Sequence, residues 1–283
     1  MDDAGAAYQQ GRYADAEKSL QEALREAHRF GEEDPRVVTT LNSLVTLYQS
    51  QGRYAEAEPL ERRARAIEEK TLGLKQASVA ASLNNLASLY LAQRKYADAE
   101  RLFQLALAQR EKALGPDSLD VANSLSALAE LYRVQARYAD AEPLELRVVA
   151  IREKVLGPEY PGVATSLNKL GTWYLAETRY AEAESFLTRA LAIREKALGP
   201  DHAEVAESLN NVAVLYSTQG KYGEAEPLFK RCLAIREKVL GPEHRDVATS
   251  LKNYAALLRA TDRETEALAL EARANAIMAK YSR

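Results

Sequence analysis

The chain has 283 residues, 47% of them hydrophobic and 28% charged, with 38 Lys and Arg against 41 Asp and Glu for a formal net charge of -3. Nearly balanced charge removes any general case for nucleic acid or an anionic membrane as partner, and no apolar run is long enough for a membrane-spanning helix. Cys232 is the only cysteine, so no intrachain disulfide can form.

The start, MDDAGAAYQQGRY, has no basic stretch followed by an apolar one, so it is not read as a secretory leader, and a cytoplasmic protein is expected. Residues 1–34 read as an incomplete repeat. Gly11-Arg12-Tyr13-Ala14-Asp15-Ala16-Glu17 matches Gly52-Arg53-Tyr54-Ala55-Glu56-Ala57-Glu58, and only Ala6 to Gln10 remains of a helix before it. A second helix from about Tyr13 to Phe30 then opens the chain almost without its partner.

From residue 35 onward one unit recurs every 42 residues: Leu41, Leu83, Leu125, Leu167, Leu209 and Leu251 keep step without slippage. A tyrosine series runs Tyr48, Tyr90, Tyr132, Tyr174, Tyr216 and fails at Leu258; a second runs Tyr54, Tyr96, Tyr138, Tyr180, Tyr222 and fails at Glu264. Within each unit, residues such as Leu209, Val212, Ala213 and Tyr216 fall at i, i+3, i+4, i+7, the stripe of an amphipathic helix. Ala225, Leu228, Phe229, Cys232, Ile235 and Val239 form a second stripe after the break at Gly220. Gly73, Gly115, Gly157, Gly199 and Gly241 then stop each second helix, usually with Pro just beyond.

First helices are predicted at about 36–50, 78–93, 120–135, 162–177, 204–219 and 246–260, and second helices at about 54–71, 96–113, 138–155, 180–197, 222–239 and 263–281. Such a unit buries too little apolar surface to fold alone and must stack on its neighbours. The expectation is an all-α chain of six repeats over 35–283, the last a degenerate C-terminal cap that has lost both tyrosines and the Gly-Pro stop.

Leu83, Leu86, Ala87, Tyr90, Ala99, Phe103 and Ala106 reproduce in order and spacing the signature of the tetratricopeptide repeat, which the chain therefore resembles. The 42-residue period, with strings such as LNNLA, GKYGEAEPL and ALAIREKVLG, is similar to the kinesin light chain type of that repeat. The resemblance implies a right-handed α-solenoid whose first helices line a concave groove.

Opposite the packed stripe, the first helices carry Asn42, Asn84, Asn85, Asn168, Lys169, Asn210, Asn211 and Asn253. Asn is a poor helix former, and its carboxamide, both donor and acceptor, can grip the backbone of an extended peptide. Contact with peptide at the second of the two positions, here Asn85, Asn211 and Asn253, is what the resemblance implies. Bonding between neighbouring helices explains the same residues equally well. Arg110, Arg152, Arg194 and Arg236 recur in REK strings, Glu68 replacing the first. By resemblance they border the groove and pair with acidic ligand side chains, a task that suits the guanidinium fork. The other reading is a cation favoured near a helix C-terminus.

No enzyme chemistry, cofactor or metal is expected. His202 and His244 lie on separate turns with no cysteine nearby and read as capping or exposed residues. Cys232 takes a slot filled by Ala106 and Ala190, and Trp173 one filled by Leu47 and Leu89, so both read as core. Glu182 and Glu184 recur in register and read as helix N-terminal charge. The leading expectation is a protein–protein interaction scaffold holding an extended, acidic partner segment. The alternatives are a recognition or autoinhibitory arm of a larger multidomain protein, and a structural solenoid associating end to end through its incomplete first repeat.

Overall fold

The computed structural model describes residues 2–9, 11–72 and 77–281. These form fourteen α-helices, with no strand among the described residues: α1 (Asp2–Gln9), α2 (Tyr13–His28), α3 (Pro35–Ser50), α4 (Tyr54–Leu72), α5 (Ala77–Ala92), α6 (Tyr96–Leu114), α7 (Leu119–Val134), α8 (Tyr138–Leu156), α9 (Pro161–Ala176), α10 (Tyr180–Leu198), α11 (Ala203–Thr218), α12 (Tyr222–Leu240), α13 (Arg245–Ala260) and α14 (Glu264–Lys280). They pack as consecutive antiparallel pairs. The predicted helices match to within two or three residues at each end, and the remnant before Gly11 is a short helix of 8 residues beginning at Asp2. Gly73, the expected stop of α4, lies outside the described residues.

Contacts divide the chain into two compact units, residues 1–151 and 152–283. In the first, Val121, Ala122 and Leu125 of α7 close on Val148 and Ile151 of α8. In the second, Val205, Ala206 and Leu209 of α11 close on Cys232 and Ile235 of α12 in the same register. Trp173 is only 9% exposed, as its leucine slot predicts. Cys232 is fully buried and burial raises its thiol pKa, so it fills space and is a poor nucleophile.

The helix starts follow from their capping residues. Asp34 accepts from the Arg36 backbone N–H at 3.0 Å, Ser118 from that of Val121 at 3.2 Å, and the two histidines His202 and His244 each accept through Nδ1 from Glu204 and Asp246 at 3.2 Å. Within a pair the turn is tight, and its crest takes a left-handed conformation at the same place every time: Gly52, Arg94, Ala136, Thr178, Gly220 and Asp262, with φ between 58° and 76°. Only Gly adopts that conformation without a Cβ penalty. Thr178, β-branched at φ 60°, is the most strained. Thr178→Gly is expected to raise stability by about 0.5–1 kcal/mol in urea titration, the lost strain outweighing the added unfolded-state freedom.

Gly171 in α9 is required for a different reason. A Cβ there would stand 2.5 Å from Cγ of Leu187 in α10, so the two helices touch backbone to side chain. The corresponding slots pair Ala87 with Phe103 and Ala213 with Phe229, small against large, which is how interdigitating layers reach native density.

Candidate functional site

In the second unit, α11 touches both α9 and α13, so first helices form a continuous wall. Its outward positions mix small and charged side chains, with Thr165, Glu207, Thr218, Thr249, Lys252 and Ala256 exposed and Lys169, Asn211, Val214 and Asn253 half-buried. The asparagines are linked. Asn253 donates through Nδ2 to Oδ1 of Asn210 at 2.9 Å, Asn210 to Oδ1 of Asn211 at 3.4 Å, and Asn211 to Oδ1 of Asn168 at 3.2 Å. Each carboxamide has two N–H donors and these links take one, so α9, α11 and α13 are stitched while amide capacity remains at the surface. Asn168, at 5% exposure, is the buried end of the chain of amides. Lys169 lies beside it, with Nζ 5.0 Å from the Trp173 ring centroid.

In the first unit the two asparagine positions separate. Asn85 is exposed, whereas Asn84 is half-buried and donates to Ser124 Oγ on α7 at 3.2 Å. Asn42 is half-buried, and its Oδ1 is buried without a hydrogen-bond partner.

The arginines of the REK strings have a shared occupation. Arg110 donates to Ser124 Oγ at 2.6 Å and to the Asp120 carbonyl at 3.2 Å; Arg152 to Ser166 at 2.6 Å and the Gly162 carbonyl at 3.3 Å. Arg194 donates to Ser208 and the Glu204 carbonyl, both at 2.9 Å, and Arg236 to Ser250 at 2.8 Å and the Asp246 carbonyl at 3.0 Å. Arg110 and Arg194 are only 8% and 2% exposed. Each guanidinium thus holds the following first helix by one hydroxyl and one backbone carbonyl of its first turns. The neighbouring Glu and Lys of the string are engaged as well. Glu111, Glu195 and Glu237 pair with Arg147, Arg231 and Arg273 of the next second helix at 2.7, 2.5 and 2.6 Å, while Lys196 and Lys238 reach back to Glu159 and Asp201 at 2.5 and 2.6 Å.

A second periodic constellation was not recognised in the sequence. Glu17 accepts from Tyr48 Oη at 2.8 Å and Arg53 at 2.6 Å; Glu100 accepts from Tyr132 and Arg137, each at 2.9 Å; Glu184 accepts from Tyr216 at 3.2 Å and Lys221 at 3.5 Å. The guanidinium lies over the same ring, 4.2 Å from centroid for Arg53 on Tyr48 and 4.1 Å for Arg137 on Tyr132. Glu184 therefore does more than supply N-terminal charge. Where the tyrosine series fails at Leu258, Tyr254 one turn earlier donates to Glu226 at 2.8 Å beside Arg263. Lys230, Arg263 and Tyr254 hold the Glu226 carboxyl down to about 2. The signal was available as a Glu followed 32 residues later by Tyr and 37 later by Arg or Lys, shortened by one residue for Glu17.

In α14 the residues that would reach forward are replaced while those reaching back are kept. Leu268, Met278 and Ala279 stand where α12 has Glu226, Arg236 and Glu237, whereas Arg273 and Lys280 still pair with Glu237 and Glu243. Among the described residues no cluster of three or more His, Cys, Asp or Glu could hold a metal, and no helix is long and apolar enough to cross a membrane.

Paired helices stacked through repeated junctions, with a stitched polar wall, define a helical-repeat scaffold. The tetratricopeptide repeat model matches residues 4–70, 78–154, 128–196, 162–238 and 204–280, and the chain belongs to that family, whose domains are protein-interaction scaffolds and typically non-catalytic. A crystal structure from Podosopora anserina, described as kinesin light chain with nearly identical TPR-like repeats, is 29% identical over 74% of this chain and 99% of its own, with a TM-score of 0.63. The apo form of RapI (13% identity, 99% and 96% coverage, TM-score 0.66) and PilF of Pseudomonas aeruginosa (18%, 82% and 88%, 0.56) share the fold alone. No curated protein matches the chain.

Proposed function

We propose that the wall of α9, α11 and α13 binds an extended segment of a partner protein, its backbone held by Asn211 and Asn253. The observation that carries this reading is the amide chain from Asn253 to Asn168, which fixes the carboxamides in place before any ligand arrives and so lowers the ordering cost of binding. The small side chains around it leave a backbone room to approach. Asn85 offers the same group on α5. An acidic preference draws its support from Lys169 and from the half-buried Arg152 and Arg236, since Arg110 and Arg194 are enclosed by the junctions they make.

The test uses a linear peptide selected by display against the intact wild-type chain. Asn211→Ala is expected to weaken its binding about tenfold in fluorescence anisotropy, the loss of one or two hydrogen bonds, with helical content unchanged. Equal affinity for wild type and Asn211→Ala, with the same peptide displaced by substitutions on the second helices, would move the site off this wall. Replacing acidic positions of the peptide by Ala tests the charge preference separately.

A further inference from the structure

Glu61, in the first half of α4, occupies a slot filled by Phe103 in α6, Leu187 in α10 and Phe229 in α12. It is fully buried, and neither carboxylate oxygen has a hydrogen-bond partner. The same slot in α8 holds Glu145, also fully buried, which accepts from Ser126 Oγ at 3.1 Å. Ser126 precedes Glu145 by the same 19 residues by which Asn42 precedes Glu61, so the register sets Asn42 of α3 against Glu61. Asn42 Oδ1 is itself buried without a donor. As oriented, Glu61 and Asn42 Oδ1 are two buried acceptors without a donor, a costly arrangement in a dry interior. A single proton on Glu61 turns one of them into a donor.

The next junction, α4–α5, lacks the tie that the others have. Glu68 stands where Arg110, Arg152, Arg194 and Arg236 stand elsewhere, and it accepts from Ser82 but has nothing to donate to a backbone carbonyl. Two buried carboxylates therefore share α4, with Glu61 set toward α3 and Glu68 toward Ser82 of α5. Around them, α3 offers only Arg36, held by Asp34 at 2.8 Å, and Tyr48, which donates to Glu17. The one titratable side chain of α5 is Tyr90, engaged by Glu58 and Arg62. On α4 itself Arg65 draws Glu61 toward ionisation and Glu68 opposes it. The geometry points to the α3–α4 pairing as a proton-operated joint, closed while Glu61 holds a proton against Asn42 and loosened when Glu61 ionises and must reach water.

Burial, with the charge of Glu68 added, pushes the Glu61 carboxyl up to about 7, which places the change in the neutral range. The experiment is hydrogen exchange by mass spectrometry on the full chain at pH 5 and pH 8, with rates corrected for intrinsic exchange and α11–α14 as internal reference. Between a carboxyl at 4.5 in the open joint and about 7 in the closed one, the opening constant of α3 and α4 segments is expected to rise roughly 70-fold from pH 5 to pH 8. Glu61→Gln, which keeps a donor for Asn42 without charge, and Glu61→Met, which keeps the volume, are each expected to abolish that rise. Glu68→Arg should tighten the α4–α5 junction at both pH values and shrink the pH response, because it removes a charge that helps hold the proton on Glu61. A response in Glu61→Gln equal to that of wild type overturns the proposal, and so does one spread evenly over the reference helices.

Discussion

Arg194→Ala is expected to destabilise the chain by about 3 kcal/mol in chemical denaturation followed by far-UV circular dichroism. Arg194 is 2% exposed and supplies three hydrogen bonds from Nη1, to Ser208 Oγ, the Glu204 carbonyl and Glu207 Oε2, all at 2.9 Å. Truncation orphans a buried hydroxyl and a carbonyl, at about 1–3 kcal/mol for each such group, and opens a void along the stem. Arg194→Lys should recover little, because the shorter stem leaves the ammonium short of the place where Nη1 meets its three acceptors. Arg236, half-buried and with two partners, is expected to cost less. A change below about 1 kcal/mol at Arg194 would mean that the junction does not depend on the guanidinium, and would return that side chain to the wall as a ligand contact.

Glu61→Met is expected to stabilise the chain, and the size of the gain depends on pH. An ordinary Glu at 4.5 in the unfolded chain is set against about 7 in the folded one. Below pH 4.5 both states hold the proton and the site costs nothing through ionisation. As pH rises from 4.5 to 7 the unfolded state sheds its proton first, so the contribution falls steadily, and above 7 the whole penalty stands. At 1.36 kcal/mol for each pKa unit, the variant should gain about 3 kcal/mol at pH 8 and close to none of that at pH 4. Urea titrations at the two values measure it. Parallel stabilities at both would show that Glu61 is not the group responsible. Phe is a poorer choice than Met here, because Val45 stands where α5 and α11 place Ala87 and Ala213 against their phenylalanines.

The fold was legible because its signal is repeated: Leu41 and its five successors, spaced without slippage, leave no freedom in where helices begin. The first helix was underread for the opposite reason. Asp2, Asp3 and Gly5 carry no apolar stripe, yet Ala4 and Ala7 are buried and α1 forms against α2. Tertiary contact overrides weak local preference there. At the site, spacing identified which side chains recur but not which way a long one bends. Arg110 can reach the wall or the next helix, and only the serine placed 14 residues later, in every repeat including Ser82 after Glu68, distinguishes the two. The clasp of Glu, Tyr and Arg was hidden similarly, its members lying on three segments that become neighbours only after stacking. Asn84 and Asn85 show the remaining limit: adjacent letters of one motif, one turned inward to Ser124 and the other to water.

The changes in α14 give the stack a direction. The pairs from α5–α6 to α11–α12 each hand forward an arginine and two carboxylates and so repeat one pattern, whereas α3–α4 offers Glu68 in place of the arginine. The α13–α14 pair keeps only the receiving half of that pattern. Moved to the middle, it would offer its follower Leu268, Met278 and Ala279, a surface with nothing to grasp, and the row would come apart behind it.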